Sequence, residues 1–130
     1  MASTRSNATI TPDAPKPNGN YSHAITVGDT LHMCGFMGDD PATGEVKGDI
    51  EEQTERAILN IEAVLKAAGL TLDNVFQRRI YIIDMKQFRK VDAMWGKYFK
   101  EPYPVSTCVQ IGALAKEGAV VELEVLAAKK

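Results

Sequence analysis

The segment from Asp49 to Gly69 constrains the fold most strongly, because it carries the signals of a complete amphipathic helix. Asp49 is suited to cap its N-terminus, and Glu52 three residues later completes a capping-box pattern. Gly69 stands where a helix C-terminal cap needs a positive φ. Between these ends, apolar residues recur at helical spacing, at Ile50, Ala57, Ile58, Ile61, Val64, Leu65 and Ala68. One face of this helix must therefore pack against the rest of the chain.

Five β-rich runs flank this helix and predict strands. They lie at about residues 23–27, 30–36, 75–83, 105–111 and 119–127, and Gly28-Asp29 supplies a hairpin turn between the first two. In the last run, apolar residues alternate with Glu122 and Glu124, as expected for a strand with one buried face.

A second helix is predicted between the third and fourth strands. Asp84 and Gln87 repeat the cap pattern, and Pro102 and Pro104 end the segment. Its apolar stripe consists of Phe88, Val91, Trp95 and Tyr98. The order β-β-α-β-α-β-β predicts an α+β domain in which a mixed sheet carries both helices on one face. We expect the opposite face to be apolar and therefore buried in an oligomer.

Length and charge limit the classes of function. The 130 residues suffice for one core and are too few for two domains. A formal net charge of −2 gives no general basic field for nucleic acid or an anionic membrane. The apolar runs are too short for a transmembrane helix. We therefore expect neither nucleic acid nor a membrane as a partner.

The N-terminal residues and the cysteines indicate a reducing compartment. Residues 1–17, with three prolines, predict a flexible arm before a domain at 18–130. The arm resembles a mitochondrial presequence only weakly, since Arg5 is its one arginine. Cys34 and Cys108 are too few for a disulfide-stapled secreted domain, so we expect free thiols. The predicted location is the cytoplasm, with the mitochondrial matrix as the alternative.

Few residues suggest chemistry by their pattern alone. His23 and His32 lack the spacing of a metal site, so no metal is expected. Cys34 and His32 share a strand face, which suits a nucleophilic pair, but a cysteine that fills a core strand is favoured. Glu122 and Glu124 also share a face, roughly 7 Å apart. Both a solvated sheet face and a cleft carboxylate that handles a proton or water remain open for this pair.

Several short motifs, in the same order and spacing, resemble the RidA (YjgF/UK114) family. They lie at residues 18–24, Cys34-Gly35, 40–45, 49–70, 84–88, 104–109 and 121–124, and together they span about residues 18–128. The resemblance implies a chorismate-mutase-like subunit, a homotrimer and small-molecule ligand clefts between subunits. It also implies hydrolysis of 2-iminoacids to 2-oxoacids and ammonia, with no metal or organic cofactor.

The resemblance assigns roles to individual residues. Glu122 matches a water-positioning glutamate and Cys108 the signature cysteine, so both are candidate catalytic residues. The residues expected to bind substrate are Tyr21, Cys34 (in place of serine), Phe36 (in place of glutamine), Asp92 (where asparagine often occurs), Ser106 and Thr107.

Ser106 is the main departure from the family, because it occupies the position of the signature arginine that anchors the substrate carboxylate. The chain has no arginine after Arg89, so shifting the register cannot supply one. A guanidinium grips a carboxylate with two charge-assisted bonds, whereas serine offers one neutral donor. Losing such a contact costs about 2–5 kcal/mol. With Asp92 nearby, we expect a neutral, cationic or aromatic ligand.

Three hypotheses about function follow. The chain is a divergent hydrolase or lyase-like enzyme acting on another imine, enamine or related compound, with Glu122 positioning water. Alternatively, it is a non-catalytic trimer that binds a small molecule or another protein. The third hypothesis is weak 2-iminoacid deaminase activity, with Arg78, Arg79 or a lysine of a neighbouring subunit as substitute anchor.

Overall fold

The computed structural model describes residues 3–130, so the first two residues of the predicted arm lie outside the described part. The helices are α1 (Ile50–Ala67) and α2 (Phe88–Trp95). The strands are β1 (Ala8–Thr9), β2 (Ala24–Val27), β3 (Thr30–Met33), β4 (Phe36–Met37), β5 (Val75–Ile82), β6 (Val105–Gln110) and β7 (Val121–Ala128). The predicted element order is confirmed, and the short strands β1 and β4 are additions to it. No helix within residues 3–130 is both long and apolar enough to cross a membrane.

All seven strands form one mixed sheet. Its order is β1-β2-β3-β7-β5-β6, and β4 also pairs with β7. Strands β5 and β6 run parallel, as expected for strands joined through the crossover helix α2, and the other pairings are antiparallel. Strand β6 therefore stands at one edge of the sheet.

Local signals account for helix α1 and for the shorter course of α2. Asp49 Oδ1 accepts from the Glu52 backbone N–H at 2.9 Å, and the Glu52 side chain accepts from the Asp49 N–H at 3.2 Å. Gly69 has a φ of 79°, as the cap requires. Helix α2 ends at Trp95, before the two prolines, because Gly96 follows with a low helix propensity. Tyr98 therefore lies beyond the helix.

The two faces of the sheet differ from the prediction. The apolar residues of β5 and β7 that face the helices, including Ile80, Ile82 and Leu123, are buried. The expectation of an apolar opposite face holds only in part, because polar residues alternate with the buried ones along β5 and β7 and point away from the helices. That face carries Arg79, Tyr81, Glu122 and Glu124, together with the exposed valines of β6.

Residues 8–17 pack against the sheet, where the sequence predicted a flexible arm. Strand β1 pairs with β2, and Ala14 is 2% exposed. The Thr11 N–H donates to His23 Nδ1 at 3.2 Å, and His23 Nε2 donates to the Pro15 carbonyl at 2.7 Å. Residues before the predicted boundary at residue 18 therefore pack against the sheet as the residues after it do.

Two buried polar side chains of α1 fix the segments that carry the site. Asn60 Nδ2 donates to the carbonyls of Met37 and Asp39 at 3.2 and 2.9 Å. Gln53 Nε2 donates to the Gly118 carbonyl, and its Oε1 accepts from the N–H of Val120 just before β7. Buried amides with satisfied bonding hold a segment in one place, so β4 and the start of β7 are rigidly positioned.

Candidate functional site

The predicted site residues separate into two groups on opposite faces of the sheet. Glu122 is paired with Tyr81, whereas Cys108 is paired with the adjacent Ile80. Because successive residues of a strand face opposite sides, the side chains of Glu122 and Cys108 point apart. The first set, called here the Glu122 group, consists of Glu122, Tyr21, Cys34 and Gly35. The second, called the Arg78 group, consists of Arg78, Asp92, Ser106 and Cys108.

The carboxyl group of Glu122 lies against the backbone of Gly35. A Cβ added at Gly35 would stand only 2.6 Å from Glu122 Oε2, so a larger residue there would displace the carboxyl group. Tyr21, Cys34 and Gly35 line an adjacent recess together with Asp39 and Lys116. Its volume of about 10 Å³ is close to what a single water molecule requires.

Burial raises the pKa of Glu122, and the nearby carboxylates of Glu124 and Asp39 raise it further. Desolvation penalises the charged form, and like charges add to that penalty. A carboxyl group tuned towards neutral pH is better matched to exchanging protons with water. The cleft reading of Glu122, left open by the sequence pattern, is therefore favoured over a fully solvated face.

Tyr21 and Cys34 of the Glu122 group carry polar side chains, but neither is activated as a nucleophile. Tyr21 is 46% exposed, and its hydroxyl donates to Asn18 Oδ1 at 2.6 Å. Burial, followed by the charge of Glu122, raises the pKa of the Cys34 thiol to about 12. Cys34 therefore stays protonated at neutral pH, which disfavours the nucleophilic pair with His32.

Phe36 and Lys116 occupy places that limit their roles. Phe36 borders the recess, but it is 4% exposed and packs beside His23, with ring centroids 5.6 Å apart, so most of its side chain belongs to the core. Lys116 Nζ is 3.4 Å from Asp39 Oδ2 and donates to the Gly44 carbonyl at 2.7 Å. This lysine is thus already engaged within its own chain.

The Arg78 group places a cation directly beside Ser106. Arg78 Nε donates to Ser106 Oγ at 2.7 Å, and Nη2 donates to Asp92 Oδ1 at 2.7 Å. The guanidinium carbon lies 4.9 Å from the centre of the Trp95 ring. Of the substitute anchors named from the sequence, Arg78 is therefore the one that lies beside Ser106. The sequence alone could not single it out, because the contact depends on the parallel register of β5 and β6, which pairs Arg78 with Ser106.

An open cleft lies beside the Arg78 group. Its volume is about 310 Å³, which is within the range of small-molecule sites. Its lining residues are Arg78, Asp92, Trp95, Gly96, Tyr103 and Pro104. The cleft thus combines a guanidinium with aromatic and apolar walls.

Cys108 and Thr107 lie on different faces of strand β6. The Cys108 sulfur is 3.8 Å from the thioether sulfur of Met85, and burial raises its pKa although Arg78 opposes the shift. A thioether does not act as a base, so no activation of this thiol is evident. Thr107 is exposed beside Arg79, on the same face as Glu122. No cluster of metal-binding side chains occurs within the described part of the chain.

Strand β6 forms an exposed edge with apolar residues. Val105 is 64% exposed, Val109 is 41% exposed, and the preceding Tyr103 is 57% exposed. Long, unprotected edges with apolar side chains are unusual in monomers and are suited to contact with another chain. This edge also carries Ser106 and Cys108 of the Arg78 group.

Comparisons with known proteins agree with this arrangement. The family model described as Endoribonuclease L-PSP matches residues 11–129. A RutC family protein of Pyrococcus abyssi is 42% identical over 122 residues, covering 93% of this chain and 95% of the relative. The 2-iminobutanoate/2-iminopropanoate deaminase of Bos taurus is 36% identical over 118 residues, covering 90% of this chain and 85% of the relative.

A solved structure shares the whole fold. The crystal structure of RidA from the Antarctic bacterium Psychrobacter sp. PAMC 21119 superposes with a TM-score of 0.90 at 34% identity. The match covers 94% of this chain and 98% of that one. With its mixed sheet, its two helices and relatives of this similarity over nearly its whole length, the chain belongs to the RidA family, whose family model is described as Endoribonuclease L-PSP.

Proposed function

We propose that this protein hydrolyses a small imine or enamine in a cleft between two subunits, with the Glu122 carboxyl group positioning the attacking water. The observation that carries the proposal is the placement of Glu122 against Gly35, beside a recess of about 10 Å³ that suits one water molecule. The name of the bovine relative, a 2-iminobutanoate/2-iminopropanoate deaminase, supports the same reaction class.

The chemistry requires one carboxyl group that exchanges a proton. Water adds to the carbon of the C=N bond while Glu122, as the carboxylate, accepts its proton. The proton is then returned to nitrogen, which gives an intermediate that carries a hydroxyl and an amino group on one carbon. As the C–N bond breaks and the carbonyl group forms, the hydroxyl proton passes through Glu122 to nitrogen, which leaves as ammonia. The raised pKa of Glu122 brings its proton affinity closer to neutral pH, which favours both transfers.

A second copy of the chain is needed to complete this cleft. The Glu122 and Arg78 groups face opposite sides of one sheet, so a single chain cannot bring both to one ligand. The exposed edge strand β6 offers a surface on which a neighbouring subunit can dock. We propose a homotrimer in which the Glu122 group of one subunit faces the Arg78 group of the next. Light scattering that showed a monomer at micromolar concentration would contradict this assembly.

The reaction is tested with 2-iminobutanoate generated from threonine by a dehydratase. The rate of 2-oxobutanoate formation is compared for the wild type, Glu122→Gln and the matched control Glu124→Gln, which changes a carboxylate on the same strand and face. We expect the wild type to accelerate hydrolysis, Glu122→Gln to abolish the acceleration and Glu124→Gln to retain most of it. Equal rates for the wild type and Glu122→Gln would refute the role of Glu122.

A binding function without catalysis is the second candidate. It is favoured by Ser106 at the arginine position and by the partial neutralisation of Arg78 by Asp92. Under this alternative the wild type does not accelerate the hydrolysis of any imine. It nevertheless binds the ligand, with the same affinity as the Glu122→Gln variant. Measuring turnover and binding with the same two proteins separates the candidates.

A further inference from the structure

The guanidinium of Arg78 is held by fewer partners than its burial requires. Arg78 is only 7% exposed. Nε and Nη2 are bonded to Ser106 and Asp92, but Nη1 is buried and has no hydrogen-bond partner among residues 3–130. A buried donor without a partner is costly, and such groups in native structures call for an explanation. The face of the Trp95 ring compensates only in part.

The Asp92 carboxylate is only weakly fixed in its ion pair with Arg78. Its side chain is 50% exposed, and Oδ1 makes a single bond to Arg78 Nη2. Water can solvate the half-exposed Asp92 carboxylate when it leaves the pair, whereas the buried Arg78 guanidinium needs another anion in its place. A second carboxylate of suitable shape can therefore compete with Asp92 for the same guanidinium.

The cleft beside this pair has the right size and walls for such a competitor. Its volume of about 310 Å³ accommodates a small organic acid. Trp95, Tyr103 and Pro104 form walls for a short aliphatic chain, and Arg78 lies at the wall with Asp92. In the other group, Glu122 lies near the carboxylates of Glu124 and Asp39. The cations there are already paired, Arg79 with Glu124 and Lys116 with Asp39. A carboxylate is therefore favoured at the Arg78 end.

We propose that Arg78 binds the carboxylate of the ligand in this cleft, and that Asp92 is an internal counter-ion which the ligand displaces. The anchoring cation is then Arg78 on strand β5, in place of an arginine at the position of Ser106 on the neighbouring strand β6. This assignment deepens the proposed function, on which it rests for the identity of the ligand as a small carboxylate-bearing imine. It replaces the neutral or cationic ligand that Ser106 and Asp92 suggested from sequence.

Trp95 gives a direct readout of this site. It is the only tryptophan of the chain, and its ring lies 4.9 Å from the guanidinium carbon of Arg78. The intact protein is titrated with butanoate and with butanamide, its neutral isostere, and tryptophan fluorescence is recorded with calorimetry as a second readout. We expect saturable binding of butanoate and at least about tenfold weaker binding of butanamide. Equal binding of the two compounds, or no binding of butanoate by either readout, would overturn the proposal.

Two variants test the exchange between carboxylates. Asp92→Asn keeps a side-chain acceptor for Arg78 but removes the competing charge, so butanoate should bind about tenfold more tightly. Arg78→Lys keeps the charge but loses the two-pronged donor, so butanoate should bind about tenfold more weakly. Far-ultraviolet circular dichroism checks that both variants fold. Unchanged or weaker butanoate binding by Asp92→Asn would overturn the counter-ion role.

The binding experiment is independent of turnover. Butanoate binding with these variant effects, but without imine hydrolysis, would refute the proposed function and leave the Arg78 site standing. Imine hydrolysis without any preference for butanoate over butanamide would refute the Arg78 site and leave the function standing.

Discussion

Arg78 and Ser106 lie side by side on the parallel strands β5 and β6, and Arg78 Nε donates to Ser106 Oγ at 2.7 Å. Ser106 stands where the resemblance to the RidA family places an arginine. A guanidinium therefore lies beside this position, on the adjacent strand. Although Ser106 replaces the arginine of the family signature, a cation, Arg78, still lines an open cleft beside it.

Replacing Ser106 by arginine should destabilise the protein. The new guanidinium would lie beside that of Arg78, and Asp92 is the one carboxylate bonded to Arg78 there. We expect Ser106→Arg to lower the free energy of unfolding by about 1–3 kcal/mol, a typical range for uncompensated substitutions. Urea unfolding at a fixed protein concentration measures the change.

A double exchange provides the control for this prediction. Arg78→Ser combined with Ser106→Arg moves the single guanidinium from β5 to β6, so most of the lost stability should return. If Ser106→Arg alone gains both stability and butanoate affinity, the site accommodates two cations and our account of the exchange is wrong.

Glu122 should lower the stability of the folded state at neutral pH. Burial raises its folded-state pKa above the unfolded value, so the folded chain binds more protons between these two values. Stability then falls as the pH rises through that interval, and the loss persists above it. Glu122→Gln cannot ionise, so it should be more stable than the wild type at pH 7 and lose this advantage below about pH 4.

Urea unfolding at both pH values checks this dependence. Glu45→Gln, at an exposed carboxylate, is the matched control and should show no such gain. A Glu122→Gln protein that is less stable than the wild type at pH 7 would show that the charged carboxylate stabilises the fold.

Neither cysteine should act as a thiolate. The pKa of Cys34 is raised to about 12 by burial and by Glu122, and burial also raises that of Cys108. We expect slow alkylation of both thiols in the folded protein at pH 8 and fast alkylation after unfolding in guanidinium chloride. Cys108→Ser should retain most of the imine-hydrolysing activity. Loss of that activity in a folded Cys108→Ser protein would assign the sulfur a direct role.

Local signals in the sequence predicted the helices and strands well. Asp49, Glu52 and Gly69 act within one helix, so their capping was readable without tertiary information. The mixed polar and apolar character of the outer sheet face was not predicted, because the alternation of Glu122 and Glu124 does not tell which residues of β5 lie beside them. Arg78 was one of several candidate anchors, since its contact with Ser106 depends on a register between distant segments.

The central claim is that each site combines two subunits, and subunit mixing tests it most directly. Glu122→Gln and Arg78→Lys proteins are each assayed with 2-iminobutanoate, then unfolded, mixed in equal amounts and refolded together. In a cyclic trimer with random mixing, a quarter of the clefts receive both intact halves, so about one quarter of the wild-type activity should return. A mixture no more active than its two parents would show that Glu122 and Arg78 do not meet across an interface.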